Sequence, residues 1–400
     1  MPPFTSNDLG GVNDKVTLRL NGQEVLIAET YNVQMSWFRK PNIFALRTGW
    51  GGTTTELLDK YPPNTRFELL IADRVQFTGR IDEIDAEQST GATEVTFKGR
   101  DDMAALHDSM AIADRSFDND SYDDVVSKML TSSGYKDFTL IFENDGNRNR
   151  QTGLTLQAAS GKKVFGKTRA TKKQKNAGQI KVGDQNYGFI KKELDRAGLF
   201  LFAAADTGNG PEFIIAEPNG DQAPMARIVR RRGLLRNAVN VTRASLKNDT
   251  SKRYCKAVIY GRGGDPKTGQ QPVSGSFVDN EMLLWGFPPE RVYSMRADKV
   301  SNAAQAEYMA RKAIAEQRRD GWSLQYSLSG HTVPALNGRT SKDRAVWAVD
   351  TIVEVDDDEY GIAEKLWISD VTFTRDEGGT RTDLTFMRPG DLLFAAGEAT

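Results

Sequence analysis

The sequence predicts a mainly β, α+β protein with two similar antiparallel β-barrel domains and a mixed α/β region inserted between them. Three observations carry that expectation. Strand-like runs broken by turn residues fill the first hundred positions and return from position 236 onward. Amphipathic helical spacing is confined to the middle of the chain and one later stretch. One apolar spacing occurs twice, once in each β region. The expected division is a first barrel over 1–110, an inserted α/β region with a long basic loop over 111–235, and a second barrel with an inserted helix over 236–400.

In the first region the strands are VTLRL (16–20), EVLIAET (24–30), VQMSWF (33–38), FELLIA (67–72), VQFTGRIDEIDA (75–86) and EVTFKGR (94–100). Asn21-Gly22 lies between the first two, and this dipeptide is the strongest local hairpin signal because both central residues of the turn need positive φ. Next, Tyr122, Val125, Val126, Met129 and Leu130 recur at helical spacing, with Ser121 and Asp124 in capping-box positions and Gly134 placed to end the helix. After FTLIFE (138–143), residues 145–183 lose apolar density and contain the acid-free run KKVFGKTRATKKQK, which reads as a long exposed loop. A helix capped by Asp184 follows, with Ile190, Leu194 and Ala197 on one face and Gly198 as its stop. LFLFAA (199–204) and EFIIAE (212–217) then flank the turn DTGNG. The rest is β again, AVNVTRASL (238–246) and YCKAVIYGR (254–262), an Ala-rich helix near 301–318, and the closing runs WSLQYSLSG, TIVEVDDD, KLWISDVTFTR and TDLTFMRPG.

The repeated spacing joins Ile81, Ile84 and Ala86, a turn with Gly91, then Val95 and Phe97, to Ile368, Val371 and Phe373, a turn with Gly378, then Leu384 and Phe386. Strand alternation has a period of two, so a three-residue step predicts a bulge in the first strand of each hairpin, with the hairpins in two separate, superimposable barrels.

Composition excludes several classes. Lys plus Arg (53) and Asp plus Glu (54) nearly cancel, unlike a global polyanion binder. One cysteine, Cys255, and two histidines, His107 and His331, supply neither an internal disulfide nor a Cys/His zinc site within one chain. The first residues, MPPFTSNDLGGVNDK, lack a basic and apolar leader pattern, and no run approaches the ~18 apolar residues of a membrane span. Synthesis and folding in a cytoplasm are therefore expected.

Several motifs invite a chemical reading. Gly161 to Thr168, GKKVFGKT, satisfies the phosphate-loop pattern, but the residues after it are polar throughout and the neighbouring fold reads antiparallel, so it is read as solvated basic loop. The acids at Asp118, Asp120, Asp123 and Asp124 lack the glycine and glutamate of a calcium loop and read as an acid-rich helix start. Asp356-Asp357-Asp358-Glu359 reads as a hairpin turn, with a metal as the lesser reading. Arg230-Arg231-Arg232 reads as a solvated or partner-facing charge cluster rather than a phosphate site. His107 and His331 have no nucleophile elbow nearby, and no motif nominates a carboxylate pair. No residue is assigned a catalytic, cofactor-binding or metal-ligating role.

Taken in order, VTLRLNGQEV, FELLIADRVQFTGRIDEIDAE with EVTFKGRDDMAAL, GDQNYGFIKKELDRAGLFLFAAADTGNGPEFIIAEP, and AVWAVDTIVEVDDDEYGIAEKLWISDVTFTRDEGGTRTDLTFMRPGDL resemble the baseplate hub proteins of contractile tails in Mu-like phages and prophages. These hubs are in turn similar to the spike-base proteins of type VI secretion systems. The resemblance implies a non-enzymatic homotrimer whose paired barrels form a ring with six-fold-like symmetry. It implies as partners a hexameric tail tube protein, a trimeric central spike protein and other baseplate proteins. No cofactor or membrane is implied, and nucleic acid is met only by passage through the ring. The location implied is the virion's tail baseplate, assembled in the host cytoplasm. Two rivals stand beside it. A tail-associated peptidoglycan hydrolase would need two carboxylates converging in a cleft, and a distal tail or tube ring protein of a flexible tail would assemble with six-fold rather than three-fold symmetry.

Overall fold

The computed structural model describes residues 14–89, 92–117, 120–142, 178–205, 210–231, 241–261, 273–297, 300, 302–334, 336 and 344–393. The first third holds β1 (Val16–Leu20), β2 (Gln23–Ile27), β3 (Thr30–Ser36), β4 (Ile43–Trp50), α1 (Thr54–Lys60), β5 (Arg66–Ile71), β6 (Arg74–Ser89) and β7 (Ala92–Asp101). The middle holds α2 (Ala104–Asp108), β8 (Arg115–Ser116), α3 (Tyr122–Ser132), β9 (Thr139–Phe142), β10 (Gln179–Ile180), α4 (Asn186–Ala197), β11 (Phe200–Ala204), β12 (Glu212–Ala216) and β13 (Ala226–Arg230). Then come β14 (Val241–Asn248), β15 (Lys256–Tyr260), β16 (Ser274–Val278), α5 (Asn280–Leu284), β17 (Val292–Arg296) and α6 (Ala303–Gly321). The chain closes with β18 (Trp322–Ser329), β19 (Thr332–Pro334), β20 (Arg344–Val346), β21 (Ile352–Asp357), β22 (Ile362–Asp376) and β23 (Gly379–Met387). The mainly β, α+β class is as expected.

Local signals act as the sequence indicates. Asn21 and Gly22 take φ of 51° and 75°, and Leu20 pairs with Gln23 across them. The Ser121 hydroxyl and Asp124 carboxylate form the capping box of α3, which buries Val125, Val126, Met129 and Leu130. Gly134, at φ 97°, ends that helix. Helix α4 starts later than expected, because Asp184 instead accepts from the Lys181 amide and closes the preceding turn.

Two compact units divide the chain. The first comprises Met1–Glu193, Phe200–Ala244 and Gln325–Phe386, and the second Leu194–Leu199, Ser245–Leu324 and Met387–Thr400. This division cuts across the expected barrel over 236–400, since 325–386 belongs with the first part of the chain.

A 13-stranded sheet runs β14-β18-β23-β22-β3-β4-β7-β6-β5-β1-β2, with β21 also paired to β22 and β13 to β21. The β6–β7 and β22–β23 hairpins therefore sit in one continuous sheet, which corrects the expectation of two separate barrels. The cause is the antiparallel ladder between β3 and β22, from Asp370 opposite Ser36 to Arg375 opposite Tyr31. The expected bulge is present in β6. The register with β7 shifts between Ile81 and Glu83, so Ile81 and Ile84 face Gly99 and Phe97 on the same side of the sheet. In β22 the same three-residue step falls where the strand passes from pairing with β21, which ends at Trp367, to pairing with β3, which begins at Asp370. Gly91 lies outside the described residues.

The inner face of this sheet buries Val33, Phe44, Leu46, Phe67, Phe77, Phe97, Phe373 and Phe386. A side chain at Gly99 would meet the rings of Phe44 and Phe67, so glycine lets those aromatics close over β7. Beside the large sheet, β11 and β12 form the expected hairpin, and β9 adds to β12 in parallel.

In the second unit β15 is central, antiparallel to β16 and parallel to β17. Helix α6 packs Ala306, Ala310 and Ile314 on Ala257 and Ile259 of that sheet. Gly275 makes the approach feasible, because a Cβ there would strike the backbone of α6 at Ala306 and Glu307.

Phe97 and Phe386 are fully buried in the one sheet. Phe97→Asp and Phe386→Asp are each expected to destabilise the first unit by about 3–5 kcal/mol, the order for losing an aromatic and burying an unpaired charge. Denaturant titration should show both variants lowering the same transition. Two independent transitions, one per variant, would restore the separate-barrel view.

Candidate functional site

The charge runs singled out in the sequence meet each other. Strand β13 pairs in parallel with β21, placing Arg227 opposite Glu354 and Arg230 opposite Asp357. Arg227 Nη2 donates to Asp356 Oδ2 at 2.8 Å, Arg231 Nη1 to Asp358 Oδ1 at 2.6 Å, and Arg231 also pairs with Asp356. Asp357 is buried, and it accepts from Arg230 Nη1 at 3.2 Å, the Tyr326 hydroxyl at 2.5 Å and the amides of Glu359 and Tyr360. Burial and that carboxylate push the Tyr326 phenol well above its ordinary value. Arg230 and Arg231 are thus occupied by carboxylates, and the acidic run is a charge-paired strand end. Among the described residues no cluster of three or more His, Cys, Asp or Glu side chains is placed to hold a metal.

Neither histidine is arranged for catalysis. His331 is fully buried, with Nε2 2.6 Å from the Tyr31 hydroxyl and Nδ1 2.9 Å from Thr382 Oγ1. Because Thr382 Oγ1 donates its own proton to the Gly330 carbonyl at 2.6 Å, it accepts from Nδ1–H, which leaves Nε2 to accept from Tyr31. The ring is therefore a neutral clamp across 300 residues of sequence. Burial drives its pKa down to about 4 against a smaller opposing effect of Asp14, and burial raises Tyr31 to about 12. His107 stacks on Tyr187 with ring centroids 3.9 Å apart, and burial lowers its pKa too.

The solvent face of the large sheet combines small polar side chains with matched charges. Thr374, Asn32, Ala45, Lys98 and Glu83 lie opposite one another across five strands. Lys98 Nζ reaches Glu83 at 2.7 Å, and Arg39 reaches Asp370 at 2.7 Å. Arg47 pairs with Glu94 and Glu87. Arg100 forks between Asp82, the extra residue of the β6 bulge, and Asp108. These hydrogen bonds raise Arg100 and lower Asp108. Lys98, Arg39, Arg47 and Arg100 are each matched by a carboxylate, whereas Arg80, opposite Arg100, donates to the Asn64 carbonyl at 3.0 Å.

The second unit contains a cluster that no sequence motif announced. Buried Arg253 donates to Asp279 Oδ2 at 2.8 Å and Glu281 Oε2 at 2.6 Å. Arg318 donates to the other Asp279 oxygen at 2.6 Å, and Arg388 to Glu281 Oε1 at 3.0 Å. Burial alone would raise both carboxyls, but these guanidinium donors outweigh it and hold them low. The only local signal was Asp279 as the cap of α5. The phosphate-loop-like stretch 161–168, Asp118 and Arg232 lie outside the described residues, as does most of the basic loop at 145–183.

No family model matches the sequence. No curated protein matches it either. Solved structures do. The 43 kDa tail protein of prophage MuSo2 from Shewanella oneidensis is 15% identical with a TM-score of 0.66, over 94% of this chain and 99% of that one. A tail protein from Neisseria meningitidis MC58 is 18% identical with a TM-score of 0.66, over 94% and 98%. The Escherichia coli c3393 protein, a type VI secretion component described as similar to T4 tail proteins gp27 and gp5, is 10% identical with a TM-score of 0.50, over 92% and 76%. The structural neighbours are thus phage tail proteins and a type VI secretion component, and the likeness establishes a shared fold along nearly the whole chain.

His331 gives the first unit a defined pH dependence. Its folded pKa of about 4 lies below the unfolded value of ~6.5, so the unfolded chain binds the extra proton between those values. Its contribution is fully present above pH ~6.5 and is lost as pH falls toward 4, by about 3 kcal/mol. Buried Asp101, raised to about 6, acts in the opposite sense. Comparison with His331→Gln cancels that and other titrations. The variant should lose close to one proton from the stability slope between pH 6.5 and 4, and an unchanged slope would contradict the neutral clamp.

Proposed function

We propose that three copies of this chain form the hub ring of a contractile-type tail baseplate, joining a hexameric tail tube to a trimeric central spike. The observation that carries the reading is the extent of the structural likeness, which takes in 94% of this chain and nearly all of two phage tail proteins. The type VI secretion neighbour, described as similar to gp27 and gp5, supports a position at the spike end of a tail. The role is structural rather than enzymatic. It is exerted through surfaces shared with the tube, the spike and other baseplate proteins, in the virion after assembly in the host cytoplasm.

The physical demands of such a ring match features of the chain. An adaptor works through large, shape-matched contacts, and obligate assemblies bury thousands of Å². Its lumen must let a tape-measure protein or DNA pass without gripping it. The carboxylate-paired Lys98 and Arg100 on the polar face of the large sheet support that use, as does a net charge of −1 for the whole chain.

Native mass spectrometry of the purified chain, with cryo-electron microscopy of the assembled tail, is expected to count three copies at the junction of tube and spike. Six copies, or a place along the tube, would favour a tube ring protein. Clearing of peptidoglycan in a zymogram would favour a hydrolase.

A further inference from the structure

Four separate stretches of the second unit meet in the Arg253 cluster, namely the turn before β15, α5 with its cap, the end of α6, and residues 388–391 after β23. The ion pairs run round as a closed circuit. Arg253 bridges Asp279 and Glu281, Asp279 passes to Arg318, and Arg318 lies 3.8 Å from Asp391. Arg388, on the same stretch as Asp391, returns to Glu281 at 3.0 Å. Residues 388–391 thus complete the circuit with one cation and one anion.

That arrangement makes the last stretch removable. With 388–391 withdrawn, Asp279 keeps Arg253 and Arg318, and Glu281 keeps Arg253. Arg388 and Asp391 leave together, as opposite charges. Breaking a buried ion network is costly where a member is left unpaired, and here no carboxylate of α5 or its cap loses its last guanidinium. Apolar packing adds little hold, since Asp391 is buried but Gly390 is exposed and Leu392 and Leu393 are only part-buried. The other contacts are polar or stacked. Arg319 Nη1 donates to the Asp391 carbonyl at 3.2 Å, and the Arg388 guanidinium lies 4.8 Å from the centre of the Trp322 ring. The Asp391 and Leu392 amides bond locally, to the carbonyls of Arg388 and Pro389. A segment with few buried apolar side chains and local backbone bonds belongs to the low-stability end of a fold.

We propose that residues 388–393 form a strap that opens and closes as a unit over the ends of α5 and α6, while the rest of the second unit stays folded. Glu281 is its latch. One oxygen, Oε2, stays with Arg253, and the other, Oε1, takes Arg388 when the strap is closed and loses it when the strap opens. Opening also bares the face of the buried Trp322 ring on which Arg388 rests. Helix α6 does not depend on the strap, because Ala306, Ala310 and Ile314 hold it on Ala257 and Ile259 of the sheet.

The test is amide hydrogen exchange of the full chain, read by mass spectrometry over a range of low denaturant concentrations. In the unaltered chain the Asp391 and Leu392 amides are expected to be protected, yet at least tenfold less than the core amides of α6, and at a level that denaturant barely changes, as a small local opening requires. Arg388→Gln leaves Glu281 with Arg253 and Asp391 with Arg318. It is expected to speed exchange at Asp391 and Leu392 at least tenfold further, with α6 exchange and the melting temperature unchanged. Strap amides that exchange in step with α6 in the unaltered chain, or that show no protection at all, would overturn the proposal. So would an Arg388→Gln chain in which strap exchange is unchanged or α6 is sped equally. Failure of that variant to fold would overturn it too, by showing that the circuit braces the whole unit.

Discussion

The antiparallel ladder between β3 and β22 is the constraint on which the rest of the first unit depends. It joins residues 31–36 to residues 370–375, so chain segments more than 300 positions apart become neighbours in one sheet. Closing so long a loop costs conformational entropy, which must be offset by what the ladder brings together. Val33 and Phe373, opposite each other, are both fully buried, and Trp37 meets Trp367 edge-on at 6.0 Å. The Tyr31–His331–Thr382 chain of hydrogen bonds lies in the same region and leaves none of its buried polar groups unpaired. Without the ladder the large sheet would divide in two, β14-β18-β23-β22 with β21 and β13 on one side and β3-β4-β7-β6-β5-β1-β2 on the other.

Given that scaffold, electrostatics arranges surfaces rather than chemistry. Acids and bases that look like candidate sites in one dimension neutralise one another in three. The arginines of β13 meet the aspartates of β21, and the bulge residue Asp82 meets Arg100. Exposed pairs of this kind contribute little stability each, but they remove net charge from the faces that carry them.

Much of this was legible in the sequence where the signal is local. The Asn21-Gly22 turn, the Ser121/Asp124 capping box and the Ala-rich helix α6 each depend on residues within a few positions of one another. The bulge in β6 was readable as well, because Ile81 and Ile84 can share a face only if one residue is looped out. Strand pairing across 300 residues leaves no such trace. A three-residue step in β22 looks like the one in β6, yet it coincides with a change of partner strand. Similarly, Arg230 reads as a solvated or partner-facing charge and Asp357 as part of a hairpin turn when each is taken alone, since nothing in either run specifies the other. The cluster around Arg253 was illegible for the same reason, as its members come from segments spread over 130 positions.

The most direct measurement of the β3–β22 ladder is a disulfide placed across it. Gln34 and Thr372 stand directly opposite, within the range a disulfide spans, and the native Cys255 is buried in the other unit. In a chain carrying Gln34→Cys and Thr372→Cys, mild oxidation followed by proteolysis and mass spectrometry should recover the 34–372 linked peptide. The offset pair Gln34→Cys with Arg375→Cys should give none. Recovery from the offset pair, or from neither, would contradict the single continuous sheet.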